Sequence, residues 1–141
     1  MLGDMVTNGH LEGNRLMDIH TANHKDIPFE ADNFIIATGS FFSHGLQAHL
    51  NSICEPIFNL DVTASGERQQ WFDQNVFETQ PYMSFGVVTD SDFHPQIEGQ
   101  SVENLYAVGS LLESANCLKE ASGAGVSILT ALNAAHNILK R

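Results

Sequence analysis

Two short stretches of the chain are apolar at consecutive positions, which is typical of strands covered on both faces of a parallel sheet. They are residues 34–38 and 105–108. Each follows an asparagine, Asn33 or Asn104, and each leads directly into a Gly-Ser pair. This shared frame predicts two parallel strands whose carboxyl ends have the same local structure.

An alternating pattern precedes the first of these strands. In residues 16–21, Met17, Ile19 and Thr21 alternate with polar Asp18 and His20, which predicts a half-buried strand with the first three on its inner face. Asn-Gly and Gly-Asn turn signals lie earlier in the chain. Residues 1–32 are therefore predicted to form a small β element.

Helical periodicity is clearest at the end of the chain, where a glycine-containing run at residues 122–126 is predicted to open a helix that ends near residue 139. One set of apolar residues repeats at helical spacing, namely Ile128, Leu132, Ala135 and Leu139. Ala131 and Ala134 form a small-residue side that can approach a sheet closely. Lys140 and Arg141 would complement the helix dipole at its C-terminus.

The middle of the chain has a different composition, with three of the four prolines and most of the aromatic residues. It predicts short strands and loops, with the best strand at residues 85–89 and a brief helix at residues 45–50. The predicted fold class is α/β with mixed α+β character. Residues 1–42 and 101–141 would form one unit, and residues 43–100 a small β-rich lobe over its sheet.

Composition and charge argue against several classes of function. The 141 residues are 43% hydrophobic, enough for a globular core, and no apolar run approaches the roughly 20 residues of a membrane span. The net charge of −11 argues against a nucleic-acid surface. Cys54 and Cys117 are predicted to be reduced thiols, and the seven histidines lack the spacing of a metal site.

Glycines at the predicted helix start are the first candidate for chemistry. Gly123, Ala124, Gly125 and Val126 would let a ligand approach unpaired backbone N–H groups, which suit a phosphate or the electron-rich edge of a flavin ring. The alternative is that Ser122 is an ordinary N-cap and that the glycines permit tight packing.

The ends of the two predicted strands are the second candidate, because ligands of open α/β sheets bind beyond the carboxyl ends of strands. Thr38, Gly39 and Ser40 follow one strand and Gly109 and Ser110 the other, and a glycine leaves room for a ring. The alternative is that both are simple strand-ending turns. Arg68 could hold a phosphate or carboxylate, or be a surface arginine. No catalytic base is assignable.

Together these motifs resemble flavoprotein dehydrogenases with a dinucleotide-binding fold. Residues 31–43, ADNFIIATGSFFS, are similar to their Ala-Thr-Gly segment, residues 103–109 to their last strand, and residues 123–126 to the helix that follows. More narrowly, the order EPIF (55–58), LDV (60–62), Arg68, QP (80–81), FGV (85–87) and TD (89–90) resembles the B subunit of anaerobic glycerol-3-phosphate dehydrogenase, over nearly the whole chain.

That resemblance implies the C-terminal part of a Rossmann-like FAD/NAD(P)-binding domain with a cap lobe. It implies a flavin cofactor, FMN or alternatively FAD, lying against Gly39, Gly109 and residues 123–126. It also implies oxidation of glycerol 3-phosphate to dihydroxyacetone phosphate, with electrons passed towards the quinone pool. The implied partners are a catalytic FAD subunit and an iron–sulfur, membrane-associated subunit, which would place a cytoplasmic protein at the membrane periphery.

Two departures from the family qualify these expectations. The Gly-x-Gly-x-x-Gly loop of the family is absent, so the chain is expected to be a fragment that is inactive alone, that could bind no cofactor by itself, and that self-associates through an uncovered edge. Glu113 and Ala121 occupy a stretch that is glycine-rich in the family. Two rival hypotheses remain, a non-catalytic assembly or electron-relay module and another flavoprotein reductase of the same fold.

Overall fold

The computed structural model describes residues 3–64, 66–117 and 119–140. Their strands and α-helix are β1 (Val6–Glu12), β2 (Arg15–Thr21), β3 (Phe29–Glu30), β4 (Phe34–Ile36), β5 (Gln47–Ala48), β6 (Ile53–Cys54), β7 (Val62–Thr63), β8 (Gly86–Val87), β9 (Gln96–Ile97), β10 (Gln100–Ser101), β11 (Leu105–Ala107) and α1 (Gly123–Leu139). Short 3₁₀ turns lie at Phe41–Ser43, Arg68–Gln70, Pro81–Ser84 and Gly109–Leu111. Within the described ranges, no helix has the length and hydrophobicity needed to cross a bilayer.

The first part of the chain is an antiparallel sheet in the order β1, β2, β3, which confirms the predicted β element. The predicted inner face was wrong at Met17, which is 38% exposed, whereas Leu16 is fully buried. Leu16 is inward because it packs in the same apolar cluster as Leu105 of β11. The alternation correctly predicted a strand, but contacts with distant residues determine which of its faces is buried.

Asp4 ties the open end of this sheet together. Its Oδ2 accepts a hydrogen bond from the Thr21 hydroxyl at 2.7 Å and lies 2.8 Å from His24 Nδ1, while its Oδ1 accepts from the Asn23 N–H at 3.1 Å. The Thr21 hydrogen bond is the main reason that the pKa of Asp4 is lowered to about 2, with His24 and the Asn23 N–H adding to it against the opposing effect of burial.

The two consecutive apolar stretches pair in parallel, as the shared frame predicted. Phe34, Ile35 and Ile36 of β4 lie opposite Leu105, Tyr106 and Ala107 of β11. The expectation that both strands are covered on both faces holds for β11, whose residues are all buried. It was wrong for β4, because Ile35 is 53% exposed while α1 packs against its neighbour Tyr106.

The middle segment consists of three short antiparallel pairs, β5 with β6, β7 with β8, and β9 with β10. The helix predicted at residues 45–50 was wrong, since Gln47 and Ala48 pair with Cys54 and Ile53. The strand predicted at residues 85–89 is shorter than expected and consists of β8, with an isolated bridge between Thr89 and Pro95.

One apolar cluster draws on the first, middle and last parts of the chain, including Leu16, Leu46, Val87 and Leu105. The mixture of strands and helix fits the predicted fold class. The Rossmann-like arrangement and the division into residues 1–42 with 101–141 and a lobe of residues 43–100 stay predictions.

Helix α1 begins and ends where predicted, and Ala134 is fully buried against Tyr106 and Val108. The small-residue side therefore contacts the sheet at Ala134, although Ala131 is exposed. The larger apolar repeat points to solvent, with Ile128 60%, Leu132 61% and Leu139 85% exposed. We call Ile128, Leu132, Ala135 and Leu139 the α1 stripe. Arg141 lies outside the described residues.

Candidate functional site

The carboxyl ends of β4 and β11 lie side by side, as expected for adjacent parallel strands. Val108 N–H donates to the Ile36 carbonyl at 3.1 Å, which extends the pairing by one step. Both following glycines have left-handed backbones, with φ of +76° at Gly39 and +75° at Gly109. An L-residue would be strained at either position, so the turns themselves require glycine.

Gly39 is packed against its own loop. A Cβ at this position would lie 2.9 Å from Cβ and Oγ of Ser43 and 3.4 Å from Oγ of Ser110. The loop closes through Gly45, whose N–H donates to the Ser40 carbonyl at 3.1 Å and whose missing Cβ leaves room for the Gly39 carbonyl. Close packing of the chain on itself therefore accounts for this glycine, and its cofactor role stays a prediction.

Gly109 is connected to α1 by a threonine that the sequence motifs did not single out. The Gly109 N–H donates to Thr130 Oγ1 at 2.9 Å, and that hydroxyl donates to the Val126 carbonyl at 2.7 Å. A Cβ at position 109 would meet Ser127 Oγ at 3.4 Å. The second turn of the helix is thus fixed beside the end of β11. The sequence signal for this contact was Thr130 itself, a hydroxyl residue one helical turn after Val126.

The first turn of α1 is open to solvent. Ser122 makes no side-chain cap hydrogen bond, and its hydroxyl donates instead to Glu120 Oε2 at 3.2 Å. Gly123 lies against Cys117, with 3.5 Å from a Cβ at position 123 to the Cys117 Cβ, whereas a Cβ at Gly125 would meet nothing within 4 Å. Ser122 therefore occupies the N-cap position without capping the helix through its side chain, and the amide end of the helix is accessible around Gly125.

A small cavity of about 40 Å³ lies between the strand ends, lined in part by Ser40, Ser110, Asn116 and Cys117. Small-molecule sites usually occupy roughly 300–1,000 Å³, so a flavin ring does not fit inside this cavity. Thr38 Oγ1, next to the Gly39 turn, is buried without a hydrogen-bond partner in the described part of the chain. Buried hydroxyl groups usually have a hydrogen-bond partner, so the Thr38 hydroxyl is one local feature that fits a bound polar group.

Arg68 is not brought to the strand ends. It lines a second cavity of about 450 Å³, where its Nη1 donates to the Leu50 carbonyl at 3.2 Å. The two cavities share a wall formed by Phe41, Phe42 and Tyr82. The structure therefore groups the predicted site residues Thr38, Gly39, Ser40, Gly109 and Ser110 beside the helix, and places Arg68 beyond an aromatic wall.

The polar residues of the narrower motifs organise loops. Glu55 of EPIF is buried and accepts the N–H groups of Ile57 at 2.9 Å and Phe58 at 2.8 Å. Asp61 of LDV accepts those of Glu98 and Gly99. Gln80 of QP and Asp90 of TD likewise accept backbone N–H groups. These side chains stabilise loop backbone by hydrogen bonds, which makes them poor candidates for catalysis.

Glu113 and Ala121, which mark the second departure from the family, both lie between β11 and α1. The Glu113 carboxylate accepts a hydrogen bond from the Thr63 hydroxyl, so it is held by β7. Ala121, one residue before Ser122, has a left-handed backbone with φ of +51°. Alanine thus occupies a conformation that favours glycine, just before the helix begins.

Comparison with known proteins identifies relatives of the chain. Residues 1–126 match the sequence model of a family described as FAD binding domain. Three similar curated proteins are each named as the B subunit of anaerobic glycerol-3-phosphate dehydrogenase. They come from Pectobacterium atrosepticum (43% identical over 140 residues, 99% of this chain and 33% of the relative), Vibrio cholerae (43% over 139 residues, 97% and 32%) and Yersinia pestis (41% over 139 residues, 99% and 33%).

These relatives confirm the resemblance that the motif order indicated. The chain spans about a third of the length of the curated relatives it matches. No solved structure matches it.

Proposed function

Because the chain belongs to the FAD binding domain family, we propose that it supplies the flavin-contacting C-terminal part of an oxidoreductase subunit, of the same type as the B subunit of anaerobic glycerol-3-phosphate dehydrogenase. The reaction proposed for the whole subunit and its partners is oxidation of glycerol 3-phosphate to dihydroxyacetone phosphate, with electrons leaving towards the quinone pool. A bound flavin would supply the hydride- or electron-accepting chemistry.

One observation carries the proposal: the two strand ends lie side by side, and the second turn of α1, next to its open start, is bonded to one of them in a chain that matches an FAD-binding domain. Gly125 and the neighbouring backbone N–H groups of α1 would hold a negatively charged edge of the flavin. A helix N-terminus stabilises such a charge by about 0.3–1 kcal/mol when exposed and up to about 2 kcal/mol when partly buried.

The space available decides from which side the flavin approaches. The cavity between Ser40 and Ser110 is far smaller than a flavin ring, and Ser43 fills the position beside Gly39. The space beside Gly125 is open to solvent, because a Cβ at this position would meet nothing within 4 Å. We therefore place the proposed contact on the outer side of the helix start, and not between the two strands.

Flavin titration of the chain and of one glycine variant tests this proposal. FMN and FAD are titrated separately, and binding is followed by flavin fluorescence. Gly125→Leu should weaken binding at least about tenfold, because a branched side chain would cover the amide end, even though leucine stabilises a helix by roughly 0.5–1 kcal/mol relative to glycine. Gly66→Leu is the matched control, because a Cβ at Gly66 also meets nothing within 4 Å.

A hybrid protein extends the test to the full-length relative. The matching third of the Pectobacterium atrosepticum relative is replaced by this chain, and small molecules released on denaturation are identified by mass spectrometry. We expect FMN. Unchanged flavin content in the Gly125→Leu hybrid, or a hybrid without flavin beside a flavin-containing parent, contradicts the proposal.

The remaining proposals concern the complex. We propose a catalytic FAD subunit and an iron–sulfur subunit as partners, and a cytoplasmic location at the membrane periphery through them. Co-purification of those two subunits with the hybrid would support this arrangement, and purification of the hybrid alone from cells that make all three would contradict it.

A second candidate, a non-catalytic assembly module, is favoured by the exposed α1 stripe. It predicts that both the hybrid and its parent are colourless. Another flavoprotein reductase of the same fold would be distinguished by turnover with fumarate or a thiol substrate in place of glycerol 3-phosphate.

A further inference from the structure

The cavity lined by Arg68 is distinct from the small cavity at the strand ends, and we call it the aromatic pocket. Its volume of about 450 Å³ lies within the usual range for small-molecule sites. The side chains that matter here are Phe41, Phe42, Trp71, Phe72, Tyr82 and Arg68.

Aromatic rings form most of the pocket wall. Phe41 and Tyr82 meet edge to face with ring centroids 6.2 Å apart, which fixes one side of the pocket. Trp71 is 8% exposed, whereas Phe42 and Phe72 are 71% and 51% exposed at its mouth. Flat, apolar side chains arranged in this way favour a planar guest that can stack or pack edge to face.

Arg68 contributes the only charge among the described residues that line the pocket. In the described part of the chain its guanidinium forms no ion pair, and its hydrogen bond to the Leu50 carbonyl uses a neutral acceptor. The protein as a whole carries a net charge of −11, so a cation among apolar side chains is a local exception. A guanidinium with donors to spare pairs best with a carboxylate or a similar anion.

We propose that the aromatic pocket binds a small planar aromatic anion of the aryl carboxylate class, at a site separate from the flavin contact. The ring would pack against Trp71 and Phe72, and the anionic group would pair with Arg68. This proposal does not depend on flavin binding, since the wall of Phe41, Phe42 and Tyr82 separates the pocket from the strand ends.

Three probes separate the contributions of ring and charge. They are 2-naphthoate, which has both, cyclohexanecarboxylate, which lacks the flat ring, and 2-naphthalenemethanol, which lacks the charge. The indole N–H resonance of Trp71, the single tryptophan, reports binding by ¹H–¹⁵N NMR at this site. We expect 2-naphthoate to bind at least about tenfold more tightly than either comparison compound.

Variants assign the binding to the pocket. Arg68→Gln should weaken 2-naphthoate binding about tenfold, Arg68→Lys should retain part of it, and Phe72→Ala should weaken it about fivefold. Arg68 and Phe72 are exposed, so these substitutions leave the core intact. Arg15→Gln is the matched control, because Arg15 also donates to one backbone carbonyl, that of Asp32 at 3.2 Å, but lines a different cleft.

Two results would overturn the proposal. One is equal affinity of the wild-type chain and Arg68→Gln for 2-naphthoate, or equal affinity of the three probes. The other is displacement of 2-naphthoate by FMN, which would show that the pocket belongs to the flavin site. Unchanged 2-naphthoate affinity at saturating FMN, together with loss in Arg68→Gln but not in Arg15→Gln, supports a separate anion-binding pocket.

Discussion

Asn104 should be far more important for stability than Asn33, although the two occupy the same place in the shared sequence frame. Asn104 is 1% exposed, and its Oδ1 accepts the Leu16 N–H at 2.8 Å. Its Nδ2 donates to the Leu16 carbonyl at 2.8 Å and to the Asp32 carbonyl at 3.2 Å. The side chain of Asn33 makes no hydrogen bond among the described residues. Asn104 thus joins the first sheet to the start of β11.

The expected cost follows from the groups that Asn104→Ala leaves behind. Leu16 is fully buried, so its N–H and carbonyl lose partners that water cannot replace. A buried group left unsatisfied costs about 1–3 kcal/mol, which makes the two together about 2–6 kcal/mol. Asp32 is exposed, so its carbonyl can bond to water and adds little. Asn33 is half-buried and its side chain has no hydrogen bond to lose in the described part of the chain, so Asn33→Ala should change the free energy of unfolding by no more than about 0.5 kcal/mol.

Urea unfolding followed by the fluorescence of Trp71 measures both variants. With a slope of about 1.5–2 kcal/mol per M urea, a loss of about 3 kcal/mol lowers the midpoint by roughly 1.5–2 M. Asn104→Asp removes the two donated hydrogen bonds but keeps the accepted one. Its deficit relative to the wild-type chain should shrink as the pH is lowered, because a protonated carboxyl can donate again. Equal urea midpoints for Asn104→Ala and Asn33→Ala would refute this role of the Asn104 hydrogen bonds.

Three further predictions concern single features of the structure. Ala121→Gly should raise the free energy of unfolding by about 0.5–1 kcal/mol in urea, because relief of the left-handed strain exceeds the added chain entropy; a loss of stability would contradict this. The chain should self-associate in sedimentation velocity, and the double variant Ile128→Gln/Leu132→Gln should shift it towards monomer while Asn133→Gln does not; unchanged profiles would exclude the α1 stripe as the contact. The pKa of Asp4 is lowered from 3.8 to about 2, so its contribution to stability is present above pH 4 and is lost as the pH falls to about 2. Asp4→Asn should remove that part of the acid dependence of the free energy of unfolding. An unchanged acid dependence in Asp4→Asn would contradict this prediction.

Local pattern was sufficient where the structure depends on neighbours in sequence. Consecutive apolar residues predicted β4 and β11, and helical spacing with a glycine start predicted α1 within a residue at each end. Pattern failed where a distant residue decides the outcome. The alternation of β2 gave Met17 as an inner residue, but the two hydrogen bonds between the Leu16 backbone and the Asn104 side chain and the packing near Leu105 turn Leu16 inward instead. The helix predicted at residues 45–50 failed because those residues pair with β6.

The α1 stripe shows the same distinction in a helix. Spacing predicted two apolar sides of α1, of which the small-residue side is buried at Ala134 but not at Ala131, and nothing in the spacing says which side a sheet will cover. The smaller side is chosen because Ala134 allows the helix to come within packing distance of Tyr106 and Val108. Larger side chains of the stripe are left in solvent, so in the described part of the chain this side has no partner.

The candidate site shows why a glycine pattern cannot be converted directly into a ligand contact. Gly39 and Gly109 share a frame and a left-handed φ, yet Ser43 fills the space beside one and Thr130 occupies the N–H of the other. Substituting either glycine would strain the turn and would weaken any nearby binding for that reason alone. Gly125 has no left-handed backbone, and a Cβ there would meet nothing within 4 Å, so a side chain there obstructs a ligand without disturbing the fold. Gly125, and not the strand-end glycines, is therefore the position at which loss of flavin binding identifies contact with the helix start.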